Sequence, residues 1–481
     1  MPAVEEIAPE LLLPIGDEWI RTETMETIRL PFDGSPVTNV SQGDPALVKR
    51  AAEAARKAAS IIGGWSNFER AELLDRIAGL IRRDHAAFAF AISQETGKPI
   101  TEARVEVDRS LQTLLASSIV ARGLHGEAVP IDGAPIGVGR MAMTIREPLG
   151  VIGIITPFNV PLNLALHKLG PALAGGNAVV HKPSEQTPLS ALRLAQAVRE
   201  AGAPAGTYNV VTGPGETVGK ALVECDEIDM ITFTGSVETG KAIRAAAGLK
   251  KVTLELGGNS AVILEPDADL DAAVTRVVQG GYAYSGQICV SVQRVYAHES
   301  VAAEFRSKLV AAVEKLRIGH PREDATQIAS LISEEAARRV ESWTQEAARA
   351  GAKLLTGGAR TNTTISPGVL ADVPETSTFM RKELFGPLVA VNAYTNLDDA
   401  IARVNGTPFG LQAGIYTQHL QRAFQAARKL RFGGVLINDV PAFRADHMPY
   451  GGVKHSGLGR EGPKYAVEEM TEAKLICWRV G

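Results

Sequence analysis

The sequence predicts an α/β protein built on an open, doubly wound parallel sheet, with a second α/β set behind it and two strand arms outside both. Three observations predict this. Short β-branched runs alternate with helical stretches after Pro148, the pattern of βαβ units. A second alternation follows Gly257. The chain has 481 residues, 45% hydrophobic and 22% charged, which is room for about three domain-sized units with sizeable cores.

The same numbers exclude several function classes. Fifty Lys plus Arg against 54 Asp plus Glu give a formal charge of -4, so no basic field is available to hold nucleic acid. Three cysteines cannot form a disulfide framework, and they suit a reducing cytoplasm. Residues 1–17 carry no basic run ahead of their Leu11–Leu13 stretch, so no signal peptide is expected. The longest apolar stretch, 149–166, is interrupted by Pro157, Asn159, Pro161 and Asn163, so no membrane-spanning helix is expected either.

The elements follow in order. Asp44-Pro45 reads as an N-cap with proline at the first helical position, opening a helix over 46–62. A second helix covers 69–93 and ends at Gly97-Lys98-Pro99. Strands are expected at 151–155, 178–181, 208–211, 230–233 and 252–256, with helices at 162–173, 189–201, 216–224 and 238–246 between them. Right-handed crossovers then leave an open doubly wound sheet. In the second set, strands are expected at 295–297, 388–393, 414–416 and 435–437, and helices at 301–316, 333–350 and 397–404. Two loosely alternating stretches, 129–145 and 473–480, read as arms that pair with each other or with a neighbouring subunit.

Several residues could carry chemistry. Most free cysteines are inert core residues, yet Cys289 stands in Gly286-Gln-Ile-Cys289 with no helical or strand period assigning it to a buried face. Cys225 and Cys477 have acidic or apolar neighbours and read as structural. Glu255, in Leu254-Glu-Leu-Gly-Gly258, ends an apolar strand: it is either a satisfied cap or a general base whose pKa is raised by desolvation. Asn159 lies just past a strand end, where ligands of open sheets bind; it is an Asx-turn residue or a donor to a developing oxyanion. Lys182 ends the next strand. Thr234-Gly235-Ser236 opens a helix whose amides favour an anion such as a pyrophosphate, although this is not the usual glycine fingerprint. Glu383 and Phe385 precede a strand at a domain edge.

Taken in order along the chain, Pro157-Phe-Asn-Val-Pro161, His181-Lys-Pro-Ser-Glu185, Phe233-Thr-Gly-Ser236, Leu254-Glu-Leu-Gly-Gly258, Gly286-Gln-Ile-Cys289 and Glu383-Leu-Phe-Gly-Pro387 resemble the aldehyde dehydrogenase superfamily. Asn438-Asp439 and Pro449-Tyr-Gly-Gly-Val-Lys454 extend the likeness from about residue 44 to the C-terminus. The resemblance implies a dinucleotide-binding domain (1–124 and 146–256), a catalytic domain (257–465) and an oligomerisation arm (125–145 and 466–481) in a homodimer or homotetramer. It implies Cys289 as nucleophile, Glu255 as general base, and Asn159 with the Cys289 amide as the oxyanion site, with Lys182 completing the catalytic set. Thr156, Pro157, Phe158, Lys182, Ser184, Glu185, Gly215, Phe233, Gly235, Ser236, Leu256, Glu383 and Phe385 would hold NAD(P). No metal is implied.

A carboxylate at Glu185 favours NAD over NADP, because it would repel a 2′-phosphate; Lys182 beside it could offset that repulsion. The presence of Glu255 favours hydrolysis over the rival transfer of the acyl group to CoA, and Cys289, Glu255 and Asn159 together argue against a non-catalytic binding protein on the same fold. Near the expected substrate mouth stand Arg104, Arg109, Arg294, Arg444 and His447. Arg294 and Arg104 are the expected grips for an anionic group on a short aldehyde, since the Gln293-Arg294 context is similar to lactaldehyde- and phosphonoacetaldehyde-type members.

Overall fold

Five strands rich in Val and Ile lie parallel in the order Tyr208–Val210, Ala178–Lys182, Val151–Ile155, Met230–Thr234 and Lys251–Glu255, and Gly457–Leu458 adds an antiparallel edge. The order reverses between Val151–Ile155 and Met230–Thr234, so the carboxyl ends of those strands open a crevice between helices that leave in opposite directions. The first four strands are buried at every position, which is why they read as continuous apolar runs. The computed structural model describes residues 7–480. Residues 1–6, on which the signal-peptide expectation partly rests, and Gly481 lie outside the described residues.

A seven-stranded sheet forms the second layer: Lys353–Thr356, Gly368–Ala371, Leu388–Tyr394, Val292–His298, Ser260–Leu264, Gln412–Tyr416 and Gly434–Ile437. All its pairs are parallel except the first. The sequence reading lacks Ser260–Leu264, a fully buried strand near the middle of this sheet. It also lacks the helices Leu270–Tyr282 and Leu420–Lys429.

Helices cover the first sheet. Asp44 caps Pro45–Ile62 by accepting from the Leu47 amide at 2.8 Å, as expected. The single helix expected over 69–93 is two, Asn67–Arg83 and His85–Thr96, broken at Asp84 and ended by Gly97 at φ +70°. The helix Ile100–Gly123 was not expected. Its buried face is Ala, Ser, Thr and Glu106 as much as Val107 and Leu114, so the apolar period is faint. Thr471–Arg479 pairs antiparallel with Arg140–Pro148 over nine residues, so the two arm stretches do meet each other. The amino-terminal arm strand starts later than expected, after short 3-10 turns at Ile131–Gly133 and Pro135–Gly137. Cys225 packs against the core of the first sheet, whereas Cys477 lies exposed on the arm and is not a core residue. Among the described residues no helix is long and apolar enough to cross a membrane.

Candidate active site

A groove of about 1100 Å³ opens at the reversal point of the six-stranded sheet. Thr156, Pro157 and Phe158 line it after one central strand, and Phe233, Thr234 and Gly235 line it after the other. Lys182, Ser184, Glu185 and Gly215 continue it outward. Glu185 accepts from the Gly215 amide at 2.8 Å, which fixes a half-exposed carboxylate at the rim. Lys182 lies 3.9 Å from that carboxylate, and burial lowers its pKa. At the rim the chain makes a π-turn, Gly215–Gly219, before the short helix Lys220–Glu224. The groove has the volume, the glycines and the rim carboxylate that suit a dinucleotide.

Two expected groove residues do something else. Ser236 caps its own helix by accepting from the Thr239 amide at 3.2 Å, while the Gly235 amide donates to the Glu255 carbonyl. Leu256 packs on Gly240 of that helix, and its amide donates to Ser456. Neither is among the lining residues of the groove.

Cys289 sits in the loop between a short 3-10 turn and the strand Val292–His298. That loop is strained: Tyr284, Ser285 and Gly286 have φ of 44, 53 and 73° in succession. It is also held at many points. The Tyr284 hydroxyl donates to Thr96, the Ser285 hydroxyl to Ala329, and the Gln287 side chain accepts from the Ile332 amide. Asn159 donates through Nδ2 to the Gln287 carbonyl at 2.9 Å, and its buried Oδ1 has no partner among the described residues. One side-chain amide thus ties the end of the first sheet to the cysteine loop.

Glu383 and Phe385 share a small void with Cys289. Glu383 accepts from the Gly258 amide at 2.8 Å, and burial pushes its carboxyl up to about 7. Both glycines after Glu255 are needed here. A Cβ on Gly257 would meet Glu383 at 2.5 Å, and one on Gly258 would meet the Cys289 carbonyl at 2.2 Å. Phe385 adopts φ +54° and meets Phe158 edge-on at 5.9 Å, closing the inner end of the groove. On the other side of the cysteine loop, Ile288, Val160, Arg109 and Tyr284 line a separate cavity of about 690 Å³.

Glu255 is buried, and neither carboxylate oxygen has a hydrogen-bond partner among the described residues. Desolvation, reinforced by the negative charge of Glu461, raises its pKa well above the ordinary value. Glu461 behaves oppositely. Burial works to raise it, but Lys168 and Arg444 hold it well below the usual carboxylate range. Lys168 donates to it at 2.6 Å and to Thr234 at 2.7 Å, and Arg444 donates to its other oxygen at 2.9 Å. Arg444 also lies 3.8 Å from the centre of the Tyr450 ring, and the Tyr450 hydroxyl is 3.0 Å from Cys289 Sγ. Burial pushes the Cys289 thiol up to about 12.

The model of the aldehyde dehydrogenase family matches residues 19–476. The chain belongs to the aldehyde dehydrogenase family. Its relatives include a 3-sulfolactaldehyde dehydrogenase from Priestia aryabhattai, 45% identical over 465 residues that cover 96% of this chain and 97% of that protein. The solved aldehyde dehydrogenase 21 from Physcomitrella patens, in complex with the reaction product succinate, superposes with a TM-score of 0.96 at 35% identity over 98% of this chain and 99% of that one. An NADP-dependent glyceraldehyde-3-phosphate dehydrogenase from Bacillus halodurans, complexed with NADP, gives a TM-score of 0.96 at 35% identity over 98% and 100%. As members of this family do, the enzyme oxidises an aldehyde to its acid with NAD(P).

The expected substrate grips are corrected. Arg294 is fully buried and donates to the carbonyls of Asn259, Arg403 and Val404, so it pins the strand Ser260–Leu264 to the end of the helix Leu397–Asn405 and is not among the residues lining the cavity beside the cysteine loop. Arg104 is exposed and paired with Asp324 at 2.8 Å, outside the cavity lining. His447 is exposed, also outside it. Two arginines do line the cavity of this aldehyde dehydrogenase: Arg276, which donates to Asp439 at 2.7 Å, and Arg109, which lies with Val160 and Ile288 beside the cysteine loop and donates to Asp446 through Nη2 at 2.8 Å and Nε at 3.3 Å. Asp446 is further held by Asn163 and His167, each at 3.1 Å. Lys168, Glu461, Tyr450 and Asp446 were missed. The signal for Lys168 was present: His167-Lys168 interrupts a helix, Pro161–Ala174, that is otherwise almost wholly apolar and buried at every residue.

Proposed function

We propose that Cys289 is the nucleophile, Glu255 the base and Asn159 the oxyanion donor of a hydrolytic, NAD-preferring dehydrogenase for a short aldehyde carrying a second, anionic group. The observation that carries the chemistry is Glu255, whose two buried oxygens lack partners and whose proton affinity is raised. A carboxylate left in that state is poor structure and a stronger base than an ordinary solvated carboxylate. The Cys289 thiolate adds to the aldehyde carbonyl. The spare N–H of Asn159 and the Cys289 amide receive the resulting oxyanion. NAD(P), when held by the groove residues together with Lys182, Glu383 and Phe385, supplies the hydride acceptor of the reaction. Glu255 then takes a proton from the water that attacks the Cys289 thioester, releasing the acid.

The domain assignment follows from the same reading. Of the described residues, those within 1–124 and 146–256 would build the dinucleotide-binding unit, those within 257–465 the catalytic unit, and those within 125–145 and 466–481 the arm. Met141, Met143, Leu475 and Trp478 are exposed on that arm, which supports a homodimer or homotetramer. Three free cysteines support a cytoplasmic location. Glu185 at the rim supports NAD over NADP.

Arg109 supports the anionic substrate, since it lines the cavity beside the nucleophile loop while Asp446 holds the Nε and Nη2 edge of its guanidinium. The related enzymes point the same way, because sulfolactaldehyde and succinate each carry an anionic group beyond the reacting carbon. The test compares steady-state kinetics of Arg109→Gln on anionic and neutral aldehydes of equal length. The kcat/KM for the anionic aldehyde is expected to fall about 10- to 100-fold, with the neutral one nearly unchanged. Equal losses on both would remove the anion grip from the account.

A further inference from the structure

We infer that Tyr450 is a catalytic residue of this enzyme: its hydroxyl donates to Cys289 Sγ and stabilises the thiolate as it forms for attack on the aldehyde. The inference rests on Cys289 being the nucleophile and goes beyond it, because it names the group that makes a thiolate there affordable.

The need is plain from the surroundings of the sulfur. The charged and titratable groups that bear on it are Tyr450, Glu383, Arg444 and Glu255. Two of these are carboxylates, which disfavour a thiolate, and Cys289 is not at the N-terminus of a helix of useful length. Desolvation acts in the same unfavourable direction. Against these stand one cation and one hydrogen-bond donor. The donor is in place: Tyr450 Oη lies 3.0 Å from Sγ.

Three features fix that donor. The Tyr450 ring is buried with Val290 and Leu411, so it cannot swing away without opening the core. Its backbone amide and carbonyl both pair with Glu461, at 3.0 and 2.6 Å. The Arg444 guanidinium lies 3.8 Å from the ring centre and is itself held by Glu461. A cation against the ring draws electron density from the phenol and makes its O–H a stronger donor. Lys168, Glu461 and Arg444 therefore reach the sulfur through Tyr450, without touching it.

The test is the pH dependence of Cys289 alkylation by iodoacetamide in the full-length enzyme, followed by peptide mass spectrometry, together with the pH profile of kcat/KM. Tyr450→Phe keeps the ring and the arginine stack and removes only the hydroxyl. The ascending limb of alkylation is expected to move up by about one to two pH units, so that the reaction at pH 7 slows roughly 10- to 100-fold. A profile that superimposes on the parent's overturns the inference. If the phenylalanine variant does not fold, 3-fluorotyrosine at position 450 provides the second arm: its more acidic phenol should move the limb down, and an unmoved limb again overturns the inference. Cys289→Ala separates the two readings. If it still oxidises aldehydes, the nucleophile assignment fails; if it is inactive while Tyr450→Phe alkylates like the parent, only the role of Tyr450 fails.

Discussion

The groove over the six-stranded sheet is open to solvent and mixes apolar and charged side chains, with the Glu185 side chain 50% exposed at its rim. The cluster behind Cys289 instead takes Lys168, Arg444 and Glu461 out of water, with contacts of 2.6 and 2.9 Å. Both regions use charge, but with different consequences. At the rim a carboxylate in high dielectric contributes little to stability. In the cluster each charge depends on the others, because an uncompensated buried ion is severely unfavourable. The pairing of Glu461 with two cations also leaves no cation hydrogen-bonded to Glu255, which keeps that carboxyl basic.

The largest expected effect sharpens that contrast. Lys168→Ala leaves Glu461 with a single buried cation and should destabilise the protein by about 3–5 kcal/mol in urea unfolding. Glu185→Ala should change stability by less than about 0.5 kcal/mol. Equal losses would break the comparison. The pH dependence has a definite sign. Glu461 is held below its ordinary value of 4.5, so its contribution is complete above that pH and is lost as pH falls through the depressed value. The gap between parent and Lys168→Ala should accordingly be widest near neutrality and close in acid.

A smaller effect belongs to the rim. Replacing Glu185 with Ser should shift the ratio of kcat/KM for NAD and NADP toward NADP by roughly threefold, the modest scale of an exposed charge. No shift at all would mean that the Gly215 tether, and not cofactor choice, is the work of this carboxylate.

The same contrast explains what the sequence revealed. The strands of the first sheet were legible because every residue of four of them is buried, which leaves unbroken apolar runs between turns. Cys289, Glu255 and Asn159 were legible because glycines, prolines and strand ends punctuate their motifs. The helix Ile100–Gly123 was not, since Ser110, Thr113 and Ser117 carry much of its buried face. Arg294 was misread because a position five residues past Cys289 gives proximity along the chain but not direction. The strand Val292–His298 sends that side chain into the protein interior, among backbone carbonyls. Lys168 lies far along the chain from Tyr450 and Glu461, and their assembly behind Cys289 depends on tertiary structure that no local pattern encodes.

The central claim is that one cysteine forms the covalent intermediate and one uncompensated carboxylate releases it. Rapid mixing of Glu255→Gln with NAD and a short aldehyde, followed by intact-mass and peptide spectrometry, tests this most directly. In the parent, turnover should rise with pH as Glu255 ionises, because only the deprotonated carboxyl can act as a base. In the variant the account predicts a burst of about one NADH per site, steady turnover lowered by about 10²–10⁴-fold, and an acyl mass retained on Cys289. Full turnover without a burst, or an acyl group on any other residue, would contradict it.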